Sequence, residues 1–193
     1  MTSNYQQAQQ SFDLQQAAQR FLSGSVDALN ACYECCDRHA LQGRIALFWQ
    51  GKDGRKEQYT FQELQQRASQ FANFLKSQGV GKGDRVSGLL PRTPELIITI
   101  LATWRIGAVY QPLFTAFGPK AIEHRLQLAQ SKLVVTDIGN RDKLQEVDGC
   151  PAIVTVTGAK GTGLYQGDYS FWAELNRQSD QCELVMMNLQ DPF

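Results

Sequence analysis

Apolar residues recur along this chain in two rhythms, one of about 3.6 residues and one of two, and the places where one gives way to the other mark its elements. Residues 1–10 are Gln-rich and carry neither rhythm, which predicts a loose tail. Ser11 is placed to cap a short helix through about Leu22. A second helix is expected over Val26 to about Ala40, with Leu29, Cys32, Cys36 and Ala40 along one face. RIALFW, Arg44 to Trp49, has strand composition, and Asp53-Gly54 is a hairpin turn signal leading into a second strand near Gln58 to Thr60. Thr60 stands three residues before Glu63, the spacing of a reciprocal capping box. Phe61, Leu64, Ala68, Phe71 and Leu75 then form the apolar stripe of a helix that stops at Gly79.

From Arg85 onward the two rhythms alternate. Strand Arg85 to Leu90 precedes a helix opening at Pro94 and closing at Gly107, and strand Ala108 to Leu113 precedes a helix opening at Pro119. Strand Lys132 to Asp137 leads to a weaker helix around Arg141 to Val147. Strand Ala152 to Val156 leads, after a Gly-rich loop, to a helix near Tyr169 to Gln178, and CELVMMNLQDPF has the look of one more strand. Repeated strand, helix, strand predicts an α/β fold: a mostly parallel, doubly wound sheet with helices on both faces, here preceded by N-terminal helices and one β-hairpin. Its crossovers are expected to be right-handed. PELIITILATWRI is apolar on more than one side, so that helix should be buried nearly all round. We see no internal repeat and no linker long enough to separate domains. Residues 1–24 read as a Gln-rich tail and helix, and residues 25–193 as one α/β unit.

Composition narrows the function classes. With 193 residues, 19 basic and 19 acidic side chains and 42% hydrophobic content, the chain is ordinary globular protein, long enough for one sizeable core. A neutral balance with no Lys/Arg run argues against a nucleic-acid or anionic-membrane surface. The N-terminus lacks the basic region and apolar core of a secretory signal. Leu96 to Ile106 is about half of the roughly 20 residues a membrane span needs, so a soluble, cytoplasmic protein is expected. Five cysteines form an odd set without the density of a disulfide scaffold. Cys32, Cys35 and His39 can share one helix face, but no second Cys/His pair completes a four-ligand zinc site, and buried structural cysteine is the commoner role.

Candidate chemistry is sparse. GVGKGDR, Gly79 to Arg85, follows a helix and opens a strand, the reverse of a phosphate loop, and reads as a helix-ending turn. Gly158 to Gly163 follows a strand, but lacks the third glycine and the helix start of a dinucleotide fingerprint. His39 and His124 are the only histidines, no Gly-x-Ser-x-Gly elbow is present, and His124 sits on a polar helix face. Nothing forms a complete catalytic constellation, so no catalytic residue is assigned. PLFTAF remains open between two readings. Phe114 and Phe117 either plug the edge of the core or line a ligand site, since a loop at the carboxyl end of a parallel strand is where open α/β sheets bind ligands.

Four segments carry a resemblance. NACYECCDRHA (Asn30 to Ala40), YTFQELQQRASQFANFLKSQGVGKGDRV (Tyr59 to Val86), LPRTPELIITILATWRIGAVYQPLFTAF (Leu90 to Phe117) and KLVVTD (Lys132 to Asp137) resemble, in order and spacing, the N-terminal part of the AMP-forming acyl-CoA synthetases. The likeness leans to the acetyl- and propionyl-CoA synthetase branch, whose Asn-x-x-x-x-Cys-x-Asp-Arg-His is matched by Asn30, Cys35, Asp37, Arg38 and His39. The resemblance implies a ligase that uses Mg2+ and ATP to convert a short- or medium-chain carboxylic acid to an acyl-adenylate, then transfers the acyl group to coenzyme A. It also implies that the ATP phosphate loop follows a segment like Asp191-Pro192-Phe193. The adenine, ribose and magnesium motifs and a mobile C-terminal domain would then be missing partners. These residues would be an incomplete N-terminal subdomain, inactive alone and binding no cofactor tightly.

Within the resemblance, Phe114-Thr115-Ala116-Phe117 corresponds to a Phe-Gly-Gly-Phe segment along the pantetheine path of coenzyme A, with Thr115 and Ala116 replacing the glycines. An arginine pair for the 3′-phosphate is matched at Arg141. Leu144 stands at the second place, which leaves Lys143 as the substitute cation; a lone Lys is a point charge where Arg offers a fork. Two other classes stay in view. One is a free-standing nucleotide- or coenzyme-A-binding α/β module, and the other an assembly element self-associating through an uncovered apolar face.

Overall fold

The computed structural model describes residues 4–25, 27–157 and 163–192. Its elements, in order, are α1 (Asn4–Gln10), α2 (Leu14–Phe21), α3 (Ala31–Cys35), a 3-10 turn (Asp37–Gln42), β1 (Ile45–Gln50), β2 (Lys56–Thr60), α4 (Phe61–Ser77), β3 (Arg85–Leu89), α5 (Pro94–Arg105), β4 (Val109–Pro112), α6 (Pro119–Ala129), β5 (Leu133–Asp137), α7 (Ile138–Arg141), a second 3-10 turn (Asp142–Leu144), β6 (Ala152–Val156), β7 (Tyr169–Ser170) and α8 (Phe171–Asn176).

Five strands form a parallel sheet in the order β4-β3-β5-β6-β7, while β1 and β2 pair antiparallel as a separate hairpin. The period of two along the strands divides the core between the faces of the sheet. Val86, Leu133, Val135 and Val154 face a large cluster with Leu64, Phe71, Leu75, Ile98 and Phe171. Leu89 and Val134 face a smaller one with Leu113, Ile122, Leu126 and Leu144. Helices α4, α5 and α8 thus cover one face and α6 the other, which is the doubly wound arrangement expected from the alternation. No residue of α5 is exposed, as its apolar circumference requires. The expected box at α4 is present in both directions: Glu63 N–H donates to Thr60 Oγ1 (3.1 Å) and Thr60 N–H to Glu63 Oε2 (2.7 Å). GVGKGDR is a helix-ending turn, with Gly79 and Gly83 at φ +77° and +79° and the Gly81 N–H on Asp84 Oδ2 at 2.8 Å.

Several boundaries depart from the sequence reading. Residues 4–10 are helical, although none is buried. Glutamine is a fair helix former without packing. Asp13 and not Ser11 caps α2, accepting from Gln16 N–H, while the Ser11 hydroxyl closes α1 on the Gln7 carbonyl. The single helix expected over Val26 to Ala40 is shorter: Asn30, in extended backbone, caps α3 through its side chain, and Cys36 at φ −130°, ψ −65° ends it. The weak helix after β5 starts earlier, at Ile138, and tightens into a 3-10 turn. Tyr169 belongs to a short strand that pairs with β6 before α8 begins. The last stretch is no strand but an extended strap. Its bonds go to Arg105 (Val185 N–H to the Arg105 carbonyl, 2.9 Å) and to Leu29, which Met187 pairs in an isolated bridge.

Asn30 fixes that strap. Its Nδ2 donates to the carbonyls of Trp104 (2.9 Å), Arg105 (3.2 Å) and Val185 (2.8 Å). Arg105 adds a bond from Nε to the Cys182 carbonyl (2.8 Å) and an ion pair from Nη1 to Asp37 Oδ2 (2.7 Å), both side chains almost fully buried. Two segments far apart in sequence, residues 30–37 and 182–185, are locked to the end of α5 in this way.

Candidate functional site: a cleft at the switch point of the sheet

In chain order the connection from β3 runs outward to β4, whereas that from β5 runs the other way to β6. The carboxyl ends of β3 and β5 are therefore a topological switch point, where diverging loops leave a crevice and open α/β sheets place their ligands. A cleft of about 1020 Å³ lies there. Its floor is Gly88 of β3 and Tyr110 of β4; its walls include Leu90 and Arg92 after β3, Asp137 and Asn140 around the end of β5, and Trp49 and Lys52 of the hairpin. The hairpin is tied to the rim by Trp49 Nε1, which donates to the Arg92 carbonyl at 2.8 Å.

Gly88 is there for space. A Cβ at this position would sit 2.8 Å from Cε2 and Cζ of Tyr110, and closer still to Oη. Only glycine lets the phenol ring lie across β3. Tyr110 Oη is buried and has no hydrogen-bond partner among the described residues, and burial pushes its pKa well above the usual phenol value.

Phe114 and Thr115 form one lip of the cleft. The segment is a tight turn closed by Phe117 N–H on the Phe114 carbonyl (3.0 Å), with the two rings edge to face at 5.3 Å. Phe114 is 71% exposed. Phe117 packs on the smaller core cluster beneath Arg125, whose Cζ is 4.1 Å from the ring centroid. The two readings of PLFTAF thus divide between the residues: Phe117 plugs the core edge and Phe114 stands at the cleft. Ala116 is exposed at the turn. Lys143 Nζ donates to the Thr115 carbonyl and to Asn140 Oδ1 (3.0 Å), so the turn after β5 anchors the lip.

Arg141 is buried and already engaged. Nε and Nη2 form a two-pronged pair with Asp168 (2.6 and 2.8 Å), Thr155 Oγ1 donates to the same carboxylate (2.6 Å), and Tyr165 covers the guanidinium with its ring centroid 4.6 Å from Cζ. Nη1 is buried with no partner among the described residues. Hydrogen bonding to Asp168 holds the Arg141 pKa above its ordinary value. The structure therefore brings Phe114, Thr115 and Lys143 together, and sets Arg141 into a compact network of its own. Asp168 and Tyr165 were not legible in sequence, since both fall in the stretch between the strand ending at Val156 and the helix expected from Tyr169.

The remaining candidates resolve simply. Cys32 donates to Asp37 (3.7 Å) and its thiol is pushed well above the usual range, first by burial and then by Asp37. Burial pushes Cys36 up to about 12, and Cys35 is exposed. The shared helix face of Cys32, Cys35 and His39 is not formed, because α3 ends at Cys35. Among the described residues no group of three His, Cys, Asp or Glu is arranged to hold a metal ion. His124 is exposed. Residues 158–162 of the Gly158 to Gly163 loop lie outside the described residues. No helix among those described is long and apolar enough to cross a membrane.

A parallel sheet with a ligand-sized cleft at its switch point, walled by an aromatic turn, defines a binding half-site of the α/β class. Comparison with known proteins assigns the family. The model of the AMP-binding enzyme family matches residues 31–192, and the chain belongs to that family. It is 38% identical over 185 residues to the acetyl-coenzyme A synthetase of Psychromonas ingrahamii, with 86% of this chain and 28% of the relative covered. To that of Halorhodospira halophila it is 35% identical over 206 residues, covering 94% and 31%. It superposes on the crystal structure of the Brucella canis acyl-CoA synthetase with a TM-score of 0.91 at 46% identity, covering 97% of this chain and 34% of that one. The chain thus spans about a third of the length of these relatives, matching the N-terminal resemblance seen in the sequence.

Proposed function

We propose that this chain supplies the N-terminal subdomain of an AMP-forming acyl-CoA synthetase and that its cleft is the coenzyme A side of the active site. The observation that carries the reading is the position of the Phe114–Thr115 lip at the switch-point cleft, in a chain whose relatives are named as acetyl-CoA and acyl-CoA synthetases. The residues present fit the pantetheine arm. Leu90, Leu113 and Phe114 give apolar wall, and Tyr110 Oη is a hydroxyl still without a partner among the described residues. Phe114, Thr115, Ala116 and Phe117 would border the arm, and Arg141 with Lys143 would meet the 3′-phosphate. Arg141 contributes direction and Lys143 contributes charge.

In the whole ligase, a short- or medium-chain carboxylate would attack ATP, with Mg2+ offsetting its phosphate charge, to give a mixed anhydride with AMP and release pyrophosphate; the coenzyme A thiolate would then displace AMP to give the thioester. Residues 25–193 hold the scaffold and one wall of the thiol path, residues 1–24 lie outside that unit, and the nucleotide-handling segments pack on from downstream. The setting is cytoplasmic. Calorimetry on the 193-residue chain tests the assignment: ATP is expected to give no heat of binding, and coenzyme A only millimolar association. Micromolar ATP binding would instead establish a free-standing nucleotide-binding module.

A further inference from the structure

The network around Arg141 carries a consequence for how an anion is read there. A guanidinium has five N–H groups in a fixed fork. Asp168 takes the Nε and Nη2 edge with both carboxylate oxygens, at 2.6 and 2.8 Å. Asp168 is itself immobilised: 3% of its side chain is exposed, its second contact is the Thr155 hydroxyl at 2.6 Å, and its own N–H closes a turn on the Tyr165 carbonyl at 3.1 Å. The side chain of Arg141 is 8% exposed. Of the three N–H groups that remain, one on Nη2 and two on Nη1, the Nη1 pair is enclosed and unpartnered among the described residues. Buried polar groups are satisfied in the great majority of cases, so each exception asks for a reason. The ring that seals the guanidinium from outside belongs to Tyr165, which is itself 36% exposed and hydrogen-bonded through Oη to Asp142.

We infer that Asp168 is a positioning residue, which turns Arg141 so that its unpartnered Nη1 is presented to a phosphomonoester on the ligand. This rests on the coenzyme A reading of Arg141 given above. Two physical consequences follow. First, pairing with Asp168 cancels the net charge of Arg141, so attraction of the anion falls to Lys143. Its Nζ bonds only the neutral oxygens of Thr115 and Asn140 among the described residues. Second, an arginine held by two bonds on one edge has lost the rotamer freedom that a free side chain would surrender on binding. The ligand meets a pre-set donor, at the cost of moving the Tyr165 ring aside.

The test is nuclear magnetic resonance of arginine Nε–H groups in the 193-residue chain, with the Arg141 signal assigned by its loss in Arg141→Lys. The probes are coenzyme A and 3′-dephospho-coenzyme A at millimolar concentration. The wild-type Arg141 signal is expected to exchange slowly with water, and to shift with coenzyme A but not with the dephospho form. In Asp168→Asn the signal should broaden by exchange and the affinity for coenzyme A fall about tenfold, while affinity for the dephospho form stays unchanged. Thr155→Val, which removes one support of Asp168 and keeps the pair, should give a smaller loss of the same selectivity. Equal responses to the two probes in the wild-type chain, or none, would overturn the coenzyme A reading. A wild-type preference for coenzyme A that survives intact in both Asp168→Asn and Thr155→Val would overturn the role of Asp168 and leave that reading standing.

Discussion

Removing the carboxylate of Asp37 should be among the most damaging single changes available in this chain. Its Oδ2 lies 2.7 Å from Arg105 Nη1, with 4% of the Asp37 side chain and 7% of the Arg105 side chain exposed. In Asp37→Ala the guanidinium stays buried with no counter-charge, keeping only neutral partners such as the Cys182 carbonyl at 2.8 Å and Cys32 Sγ at 3.7 Å. Breaking a buried pair from one side costs about 3–5 kcal/mol, a large share of the roughly 5–15 kcal/mol that holds a domain folded. At about 2–4 °C per kcal/mol for a chain of this size, the melting temperature should fall by about 10 °C. Urea denaturation of Asp37→Ala beside the double variant Asp37→Leu/Arg105→Met separates the charge from the packing. The double variant removes both charges and leaves the Cys182 carbonyl without its donor, a loss of about 1–3 kcal/mol, so it should be more stable than the single one. A loss under about 1 kcal/mol in Asp37→Ala, or a double variant less stable than the single, would refute the buried-pair account.

Three further outcomes follow from the geometry. Tyr110→Phe deletes a buried hydroxyl that has no partner among the described residues; it should raise stability by about 1 kcal/mol in thermal denaturation, and a loss of that size would mean the hydroxyl is satisfied. Gly88→Ala drives a methyl into the Tyr110 ring and should cost about 1–3 kcal/mol, with some of the loss recovered by combining it with Tyr110→Ala; no recovery would place the strain elsewhere. Burial raises the Glu34 carboxyl, but the N–H groups of Ser23 and Gly24 and the Arg38 guanidinium outweigh it and hold the pKa below its ordinary 4.5. A depressed carboxylate stabilises the fold above its unfolded pKa and loses that contribution as pH falls through the folded value. An acid titration should therefore show wild type losing stability relative to Glu34→Gln below about pH 4.5 and converging on it, whereas a constant difference from pH 7 to pH 3 would contradict the assignment.

What was legible in the sequence was local. The Thr60 to Glu63 box, the Gly79 and Gly83 turns and the alternation of strands and helices depend on residues a few positions apart, and each appears where the pattern put it. The bounds of β6 and the start of α5 coincide with the reading because Pro and turn residues punctuate them. What was not legible depends on distant partners. Asn30 looks like an interior residue of a long helix until its carboxamide is seen to cap α3 and hold carbonyls 74 to 155 residues away. CELVMMNLQDPF has strand composition, yet among its described residues the backbone bonds to the rest of the chain go to Arg105 and Leu29 and not to the sheet. At the site, the PLFTAF lip was found from its place after a strand, which is a topological argument. Its anchor Lys143, and the Asp168 that occupies Arg141, lie 28 and 27 residues from their partners and leave no spacing signature.

The central claim, that these residues form the coenzyme-A-side third of an acid-thiol ligase, is tested most directly by activity. The chain fused to the remaining, downstream part of a relative such as the Psychromonas ingrahamii acetyl-coenzyme A synthetase should release AMP and pyrophosphate and form a thioester from ATP, coenzyme A and at least one acid of two to eight carbons. Lys143→Met in the same protein should raise the KM for coenzyme A several-fold at nearly constant kcat for adenylation. Failure of every such acid to support pyrophosphate release would contradict the account.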